Sequence, residues 1–255
     1  MTAAPDSQGR FSNRAADYVR YRPGYPCGVL DLLRSECGLT PESTIADIGS
    51  GTGILTRLFL ENGNFVYGIE PNAAMREAGE EFLAAYPRFR SVAATAEATT
   101  LPNAGVDLVT AAQAYHWFDP PAARAEFARI LRPGGWVAVI WNERKKDSGP
   151  FAGQYEQLLR TFGTDYARVS ETYPESRRMT ELFGGGFRHR AFPNEQSMDF
   201  GALRGRLLSS SYAPAAEHPN HGPMLADLQK IFDSHAVNGR VRLEYETHVY
   251  YGRLK

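Results

Sequence analysis

The segment from Thr44 to Gly53 constrains the fold of this chain more than any other part of the sequence. It reads Thr-Ile-Ala-Asp-Ile-Gly-Ser-Gly-Thr-Gly, and the mainly apolar run 54–60 follows it directly. The first residues predict a short buried strand, and the later run predicts a helix that begins near the last glycine. Glycine has no Cβ and adopts positive φ, so three glycines at alternate positions predict a tight turn whose backbone N–H groups lie close to a ligand.

Predicted strands and helices alternate along the first part of the chain. Strands are predicted at residues 44–48, 65–69, 89–93, 107–112 and 136–141, and helices at 11–38 with a break at 23–26, from 54 to about 62, at 73–85 and at 121–131. This alternation is typical of right-handed βαβ units around a mostly parallel sheet. Ligands of such sheets bind beyond the carboxyl ends of the strands, so we expect a site there.

The pattern becomes less regular after residue 150. Two late strands are predicted at 187–192 and 240–250, and helices are predicted near 151–162, 200–209 and 223–235. We interpret residues 150–235 as insertions on the same sheet and not as a second domain.

Composition and charge narrow the class of protein. Hydrophobic residues make up 43% of the 255 residues, which is ordinary for a globular chain, and the formal net charge is −1, which gives no global basic field for a nucleic acid. Cys27 and Cys37 lack metal-ligand spacing, and His218 and His221 have no carboxylate partner in sequence, so we predict no metal. With no long apolar run and no apolar leader, we expect a cytoplasmic monomer or homodimer without a membrane or nucleic-acid partner.

Two carboxylates flank the glycine turn and indicate its ligand. A dinucleotide fingerprint needs glycine at its sixth position, where this chain has Ile54. Asp47 precedes the first glycine by two residues and would repel a pyrophosphate, whereas it would favour an ammonium group. Glu70 comes at the end of the second predicted strand, where an acidic residue accepts hydrogen bonds from two ribose hydroxyls. The residues therefore favour a nucleoside ligand that carries an amino group over NAD.

Five motifs in order resemble those of class I methyltransferases that use S-adenosylmethionine (SAM). They are Thr44–Gly53, Val66–Asn72, Thr95–Ala98 with Leu101 and Pro102, Asp107–Thr110, and Leu131–Gly135. The resemblance covers residues 11–142 and is only general beyond residue 150. It implies a three-layer α/β, Rossmann-like fold whose seven-stranded sheet has the order 3-2-1-4-5-7-6 and an antiparallel last strand. It also implies one domain with a helical lid at 1–38, a SAM-binding core at 39–142, and substrate-side insertions with the last two strands at 143–255.

The glycine turn, the two carboxylates and the resemblance together predict the SAM contacts. The predicted cofactor-binding residues are Tyr18, Arg22, Asp47, Gly49, Ser50, Gly51, Gly53, Glu70, Pro71, Met75, Ala96, Glu97, Gln113 and Ala114.

Aromatic residues and a histidine follow the fourth predicted strand. The His-Trp-Phe element at 116–118 is similar to a branch that includes trans-aconitate methyltransferase-like enzymes, which implies small-molecule acceptors such as carboxylic acids. Tyr115 and Trp117 are candidate substrate contacts, because aromatic faces attract a sulfonium cation. Packing in the core is the other interpretation of these rings. His116 is a candidate catalytic base, and its alternatives are a hydrogen bond to the backbone or a role in positioning the cofactor.

Three further substrate contacts are predicted from tyrosines and arginines. Tyr21 belongs to the predicted lid, and Arg204 and Tyr212 lie in and after the late helix, where Arg206 also lies. Arginine suits a carboxylate or phosphate. The basic run 144–146 follows the fifth strand, and for its two lysines a solvated surface is the favoured interpretation.

The function predicted from the sequence is methyl transfer from SAM to a small molecule, with the acceptor atom (O, N or C) left open. One alternative is a SAM-binding regulator or assembly partner that does not methylate, and another is SAM-assisted chemistry without methyl transfer. An RNA methyltransferase is disfavoured by the charge and by Gln-Ala-Tyr-His at 113–116, where an Asn/Asp-Pro-Pro-Tyr-type motif would be expected.

Overall fold

A computed structural model describes residues 15–166 and 176–254 of the chain. The part of the predicted lid before residue 15 lies outside the described residues. The helices are α1 (Ala15–Tyr21), α2 (Gly28–Cys37), α3 (Ile54–Glu61), α4 (Ala73–Phe82), α5 (Pro120–Ile130), α6 (Pro150–Phe162), α7 (Ser176–Phe183), α8 (Phe200–Leu208) and α9 (His221–His235). The strands are β1 (Thr44–Ile48), β2 (Phe65–Ile69), β3 (Phe89–Val92), β4 (Val106–Ala112), β5 (Leu131–Arg144), β6 (Phe187–Met198) and β7 (Val241–Gly252).

The seven strands form a single sheet with the order β3-β2-β1-β4-β5-β7-β6. The first five strands pair in parallel, and β7 runs antiparallel to both β5 and β6. The predicted strand order and the antiparallel last strand are confirmed.

Helices cover both faces of this sheet, as the three-layer prediction requires. In β1 successive side chains point to opposite faces. Ile45 packs with α2 and α3, whereas Ile48 packs with α5 and α7. A third cluster joins α6, α8 and α9 to the amino-terminal half of β7 through Leu203, Leu228 and Leu243. The late helices thus pack at one end of the sheet, beside the carboxyl end of β5.

The structure departs from the predicted elements mainly after residue 130. Strand β6 continues to Met198, six residues beyond its predicted end, because it is an edge strand paired to β7 along its whole length, and its exposed polar face hides the strand pattern. Helix α7 was not predicted, although Met179, Leu182 and Phe183 form an apolar face with helical spacing. Among the described residues, no helix is long and apolar enough to cross a membrane.

Candidate functional site

A cavity of about 370 Å³ opens at the carboxyl ends of β1, β2, β4 and β5, within the size range of small-molecule sites. Of the residues predicted to bind cofactor or substrate, those lining it are Tyr18, Arg22, Asp47, Gly49, Ser50, Gly51, Glu70, Pro71, Met75, Ala96, Glu97, Gln113, Ala114, Trp117 and Tyr212. The predicted residues that do not line it are Gly53, Tyr21, Tyr115, His116 and Arg204.

The glycine turn after β1 forms one wall of the cavity. Gly49 has φ +66°, and a Cβ at this position would lie 2.5 Å from the Cβ of Ala114, so neither the backbone nor the neighbouring loop accepts a side chain. Gly53 has φ +82° and starts α3, but its added Cβ would meet Leu83 at 2.5 Å instead of the cavity. Gly53 is therefore required for packing of the turn, and its contact with the cofactor stays a prediction.

Glu70 follows β2 and is held in place by the backbone. Its Oε2 accepts a hydrogen bond from the Gly51 N–H at 2.9 Å, and its Oε1 accepts one from the Asn72 N–H at 2.9 Å. Burial raises the pKa of this carboxyl, against the two backbone bonds, which lower it. The carboxylate is thus fixed in orientation at the edge of the cavity, beside the glycine turn.

Asp47 lies inside β1 and is 1% exposed. Its two oxygens accept hydrogen bonds from the Thr56 hydroxyl at 2.6 Å and the Thr110 hydroxyl at 2.9 Å. Burial raises its pKa to about 6, although these hydroxyls favour the charged form and lower it. We call Asp47 and Glu70 the acidic end of the cavity.

Gln113 comes directly after β4 and has a backbone conformation that is unusual for a residue with a side chain. Its φ is +55°, and its side-chain Nε2 donates to the carbonyl of Asn142 at 3.0 Å across the ends of β4 and β5. Strained positions of this kind are held by their surroundings and concentrate at binding sites.

His116 lies behind the cavity wall, in a short 3-10 helix, Tyr115–Trp117. Its ring packs between Trp117, at 4.5 Å between centroids, and Trp141, at 5.1 Å, and both tryptophans line the cavity. Burial lowers its pKa to about 4, and its buried Nδ1 has no hydrogen-bond partner among the described residues. The lowered pKa makes the neutral imidazole a weak base, and the ring supports the two indoles from outside the lining. The role of His116 as a catalytic base stays a prediction.

Three predicted substrate contacts also belong elsewhere. Tyr115 is 1% exposed and donates from its hydroxyl to the carbonyl of Arg178 at 3.3 Å, so it belongs to the core. The Tyr21 ring packs on α8 at Gly205, where an added Cβ would approach it to 2.2 Å. Arg204 is exposed on the outer side of α8. None of these three residues lines the cavity, so their contact with a substrate stays a prediction.

Arginines from three other elements also line the cavity. Arg144 ends β5, Arg206 lies on α8, and Arg22 follows α1, and all three line the cavity. Arg144 and Arg206 are 8% and 6% exposed. We call these three residues the basic end. Arg206 and Arg144 were noted in the sequence but not selected as site residues.

Tyrosines surround the basic end. Tyr166, Tyr212 and Tyr245 line the cavity. Burial acts to raise the pKa of Tyr212, but Arg206 and Arg22 outweigh it, so that pKa is lowered from its usual value. Burial also acts to lower the pKa of Arg206, and the tyrosines, Tyr245 foremost, outweigh it and keep the guanidinium charged. Tyr166 and Tyr245 were not singled out from the sequence, because nothing in their local sequence distinguishes them from core tyrosines.

Comparison with known proteins finds similarity to methyltransferases. Residues 46–139 match a protein-family model described as a methyltransferase domain. An uncharacterized methyltransferase of Mycobacterium tuberculosis is 37% identical over 165 residues, which cover 65% of this chain and 64% of the relative. An uncharacterized methyltransferase-like protein of Schizosaccharomyces pombe is 28% identical over 93% of this chain and 92% of its own length. The match thus spans less than two thirds of the mycobacterial relative and nearly all of the yeast one.

Solved structures share the fold. A provisionally assigned type II methyltransferase from Anaeromyxobacter dehalogenans aligns with a TM-score of 0.66 and 23% identity, covering 91% of this chain and 98% of that one. A phosphoethanolamine N-methyltransferase from Haemonchus contortus, solved with phosphomonomethylethanolamine and S-adenosylhomocysteine, aligns with a TM-score of 0.55 and 14% identity, covering 96% of this chain and 58% of that one.

Proposed function

We propose that the protein transfers a methyl group from SAM to a small-molecule acceptor. The match of residues 46–139 to a methyltransferase-domain model and the strand order of the sheet support this proposal. The observation that carries the proposal is the acidic end of the cavity, where two backbone N–H groups hold Glu70 beside the glycine turn. We further propose that residues 39–142 bind the donor and that residues 143–255 surround the acceptor.

The acidic end suits the donor. A carboxylate has about four acceptor positions, and Glu70 uses two for the backbone, which leaves positions for the two hydroxyls of a ribose. Asp47, the other carboxylate of the acidic end, favours the ammonium group of the amino-acid moiety. Gly49 and Gly51 leave the loop open for close approach. The relative from Haemonchus contortus, which was solved with S-adenosylhomocysteine, supports the same donor.

The aromatic lining suits a cationic donor. When bound, SAM supplies a methyl group on a sulfonium centre that already carries its leaving group. Trp117 and Trp141 line the cavity next to the Gln113 turn, and an aromatic face attracts a cation by about 0.5–2 kcal/mol. Because orientation and exclusion of water supply much of the rate in such transfers, no base is needed for acceptors that are already nucleophilic. Membership of the trans-aconitate-like branch stays a prediction.

The proposal is tested with SAM that carries a labelled methyl group. The protein is incubated with it and a small-molecule metabolite fraction, next to Glu70→Ala and Glu77→Ala variants. Glu77 is exposed on α4 and outside the cavity, so it is the matched control. We expect labelled product from the wild type and from Glu77→Ala, and a much reduced yield from Glu70→Ala at limiting SAM. Binding of SAM without labelled product would favour the non-methylating alternatives, and no binding at all would refute the proposal.

A further inference from the structure

Among the described residues, the basic end carries more positive charge than its ion pairs neutralise. Three guanidiniums line it, from Arg22, Arg144 and Arg206, and the buried carboxylate that pairs with one of them is that of Glu156, which is 7% exposed. Glu156 pairs with Arg144 and, at 3.0 Å, with the largely exposed Arg160. The Glu156 carboxylate therefore pairs with two arginines, of which Arg144 lines the cavity and Arg160 does not.

Among the described residues, the hydrogen-bond partners of Arg206 are neutral. Its Nε donates to the Tyr245 hydroxyl at 3.2 Å, and its Nη1 donates to the Ser210 hydroxyl at 3.0 Å. In the part of the chain that the structure describes, no carboxylate pairs with this guanidinium, although it is nine-tenths buried. Burying a charge without a counterion is unfavourable, so a ligand that brings a negative charge would stabilise this arrangement.

Two further buried donors lack acceptors. Arg144 uses its Nη2 for Glu156 and for the Tyr166 hydroxyl, the latter at 3.0 Å, whereas its buried Nη1 has no partner among the described residues. Arg22 donates from Nη2 to the Ser209 carbonyl at 3.0 Å, and its Nε is likewise buried without an acceptor there. Buried donors in native proteins are nearly always satisfied, so these point to a missing acceptor in the cavity.

The chemistry of this donor set selects the ligand. Guanidinium groups match the paired oxygens of a carboxylate or phosphate. The hydroxyls of Tyr166 and Tyr245 already donate to Glu156 and Gln196, so the guanidinium N–H groups are the donors for a ligand. A cationic acceptor would be repelled by the same groups.

We propose that the methyl acceptor is an oxyanion, a carboxylate or a phosphate, whose anionic group binds to Arg144 and Arg206. This inference rests on the proposed function, since it names the acceptor class for the same cavity. The acidic end would then hold the cationic donor, and Arg144 and Arg206 of the basic end would hold the anionic acceptor.

The test is a calorimetric titration of protein saturated with S-adenosylhomocysteine. Succinate and inorganic phosphate are the two anion probes, and succinamide is the neutral control. Arg206→Gln is compared with Arg204→Gln, which removes a neighbouring arginine of α8 that is exposed and outside the cavity. We expect at least one anion to bind, succinamide not to bind, and Arg206→Gln to weaken the anion about tenfold or more, with Arg204→Gln within about twofold of wild type.

The comparison of the two probes distinguishes a carboxylate from a phosphate. If Arg206→Gln does not fold, Arg206→Lys is measured instead. This variant retains the positive charge, and we expect it to keep part of the anion affinity. The inference is overturned if neither anion binds, if the Arg206 and Arg204 variants behave alike, or if Arg206→Gln instead abolishes binding of S-adenosylhomocysteine, since Arg206 would then serve the donor. If the wild type itself does not bind S-adenosylhomocysteine, the proposed function fails, and the same anion titration of the free protein still decides whether Arg206 binds an anion.

Discussion

The acidic and basic ends of the cavity are assembled in different ways. Asp47 and Glu70 belong to β1 and to the turn after β2, and β1 and β2 are consecutive strands of a βαβ unit that pair in parallel along five residues each. Arg144, Arg206 and Tyr245 come from β5, α8 and β7, which meet only when the late helices pack on the sheet. The acidic end is therefore a local motif, whereas the basic end exists only in the tertiary structure. This difference implies that changes at the basic end affect stability first and changes at the acidic end affect binding first.

The largest expected effect is at the buried ion pair of the basic end. Arg144→Met leaves Glu156 buried with one fewer cation, and breaking a buried pair in this way costs about 3–5 kcal/mol of unfolding free energy. Arg160→Met removes the other arginine that pairs with Glu156, but the Arg160 side chain is 62% exposed, so we expect a loss of less than about 1 kcal/mol. Urea unfolding of the two variants measures the difference. Equal losses of unfolding free energy in the two variants would show that the buried pair stabilises the fold no more than the exposed pair does.

A smaller effect is expected from pH at the acidic end. The pKa of Asp47 is raised to about 6 by burial, so its charged form, which attracts an ammonium group, is lost as pH falls through that value. We expect the affinity for SAM to fall about tenfold between pH 7 and pH 5, measured by calorimetry.

Asp47→Asn is the control for this pH dependence. Because the folded-state pKa of Asp47 lies above its unfolded value near 3.8, its contribution to stability is present at low pH and is lost as pH rises from about 4 to about 6. In the variant we expect both the pH-dependent affinity and this loss of stability to disappear. Retention of the full pH dependence of SAM binding would assign it to another group.

The smallest effect is expected at His116. Its pKa is lowered to about 4, so the ring is neutral at pH 7, and it packs between Trp117 and Trp141. We expect His116→Phe to leave the affinity for S-adenosylhomocysteine within about twofold and the melting temperature unchanged or higher, because the replacement also removes a buried nitrogen without a partner. A drop of about 10²–10⁴ in transfer rate with normal affinity would instead restore the role of general base.

The sequence predicts the acidic end of the cavity better than the basic end. Strands β1 and β2 occur at their predicted residues. The predicted SAM contacts in the turns after β1, β2 and β4 line the cavity, apart from Gly53, because short turns restrict the positions of their side chains. On α8 the sequence predicts Arg204 as a substrate contact, whereas Arg206 is the arginine that lines the cavity. Arg206 lies three residues after the buried Leu203 and so shares its face, whereas Arg204 does not.

Arg144 and His116 also differ from their predicted placement, and the cause is different. Sequence alone does not reveal that α6, α8 and Tyr166 pack at the carboxyl end of β5, so Arg144 resembles the solvated lysines that follow it. His116 adjoins residues that line the cavity, but its neighbours in the 3-10 helix turn it behind the wall. Both cases depend on packing between elements far apart in the chain, which no local pattern records.

The central claim, that the donor binds at the acidic end and not at the basic end, is tested most directly by one calorimetric titration. S-adenosylhomocysteine is titrated into the wild type, Glu70→Ala and Arg206→Gln. The account predicts that Glu70→Ala weakens binding by about 1.5–3 kcal/mol, or about 10- to 150-fold, because a charged hydrogen-bond acceptor is lost, and that Arg206→Gln stays within about threefold of wild type. Unchanged affinity in a folded Glu70→Ala variant, or an equal loss in Arg206→Gln, would contradict it.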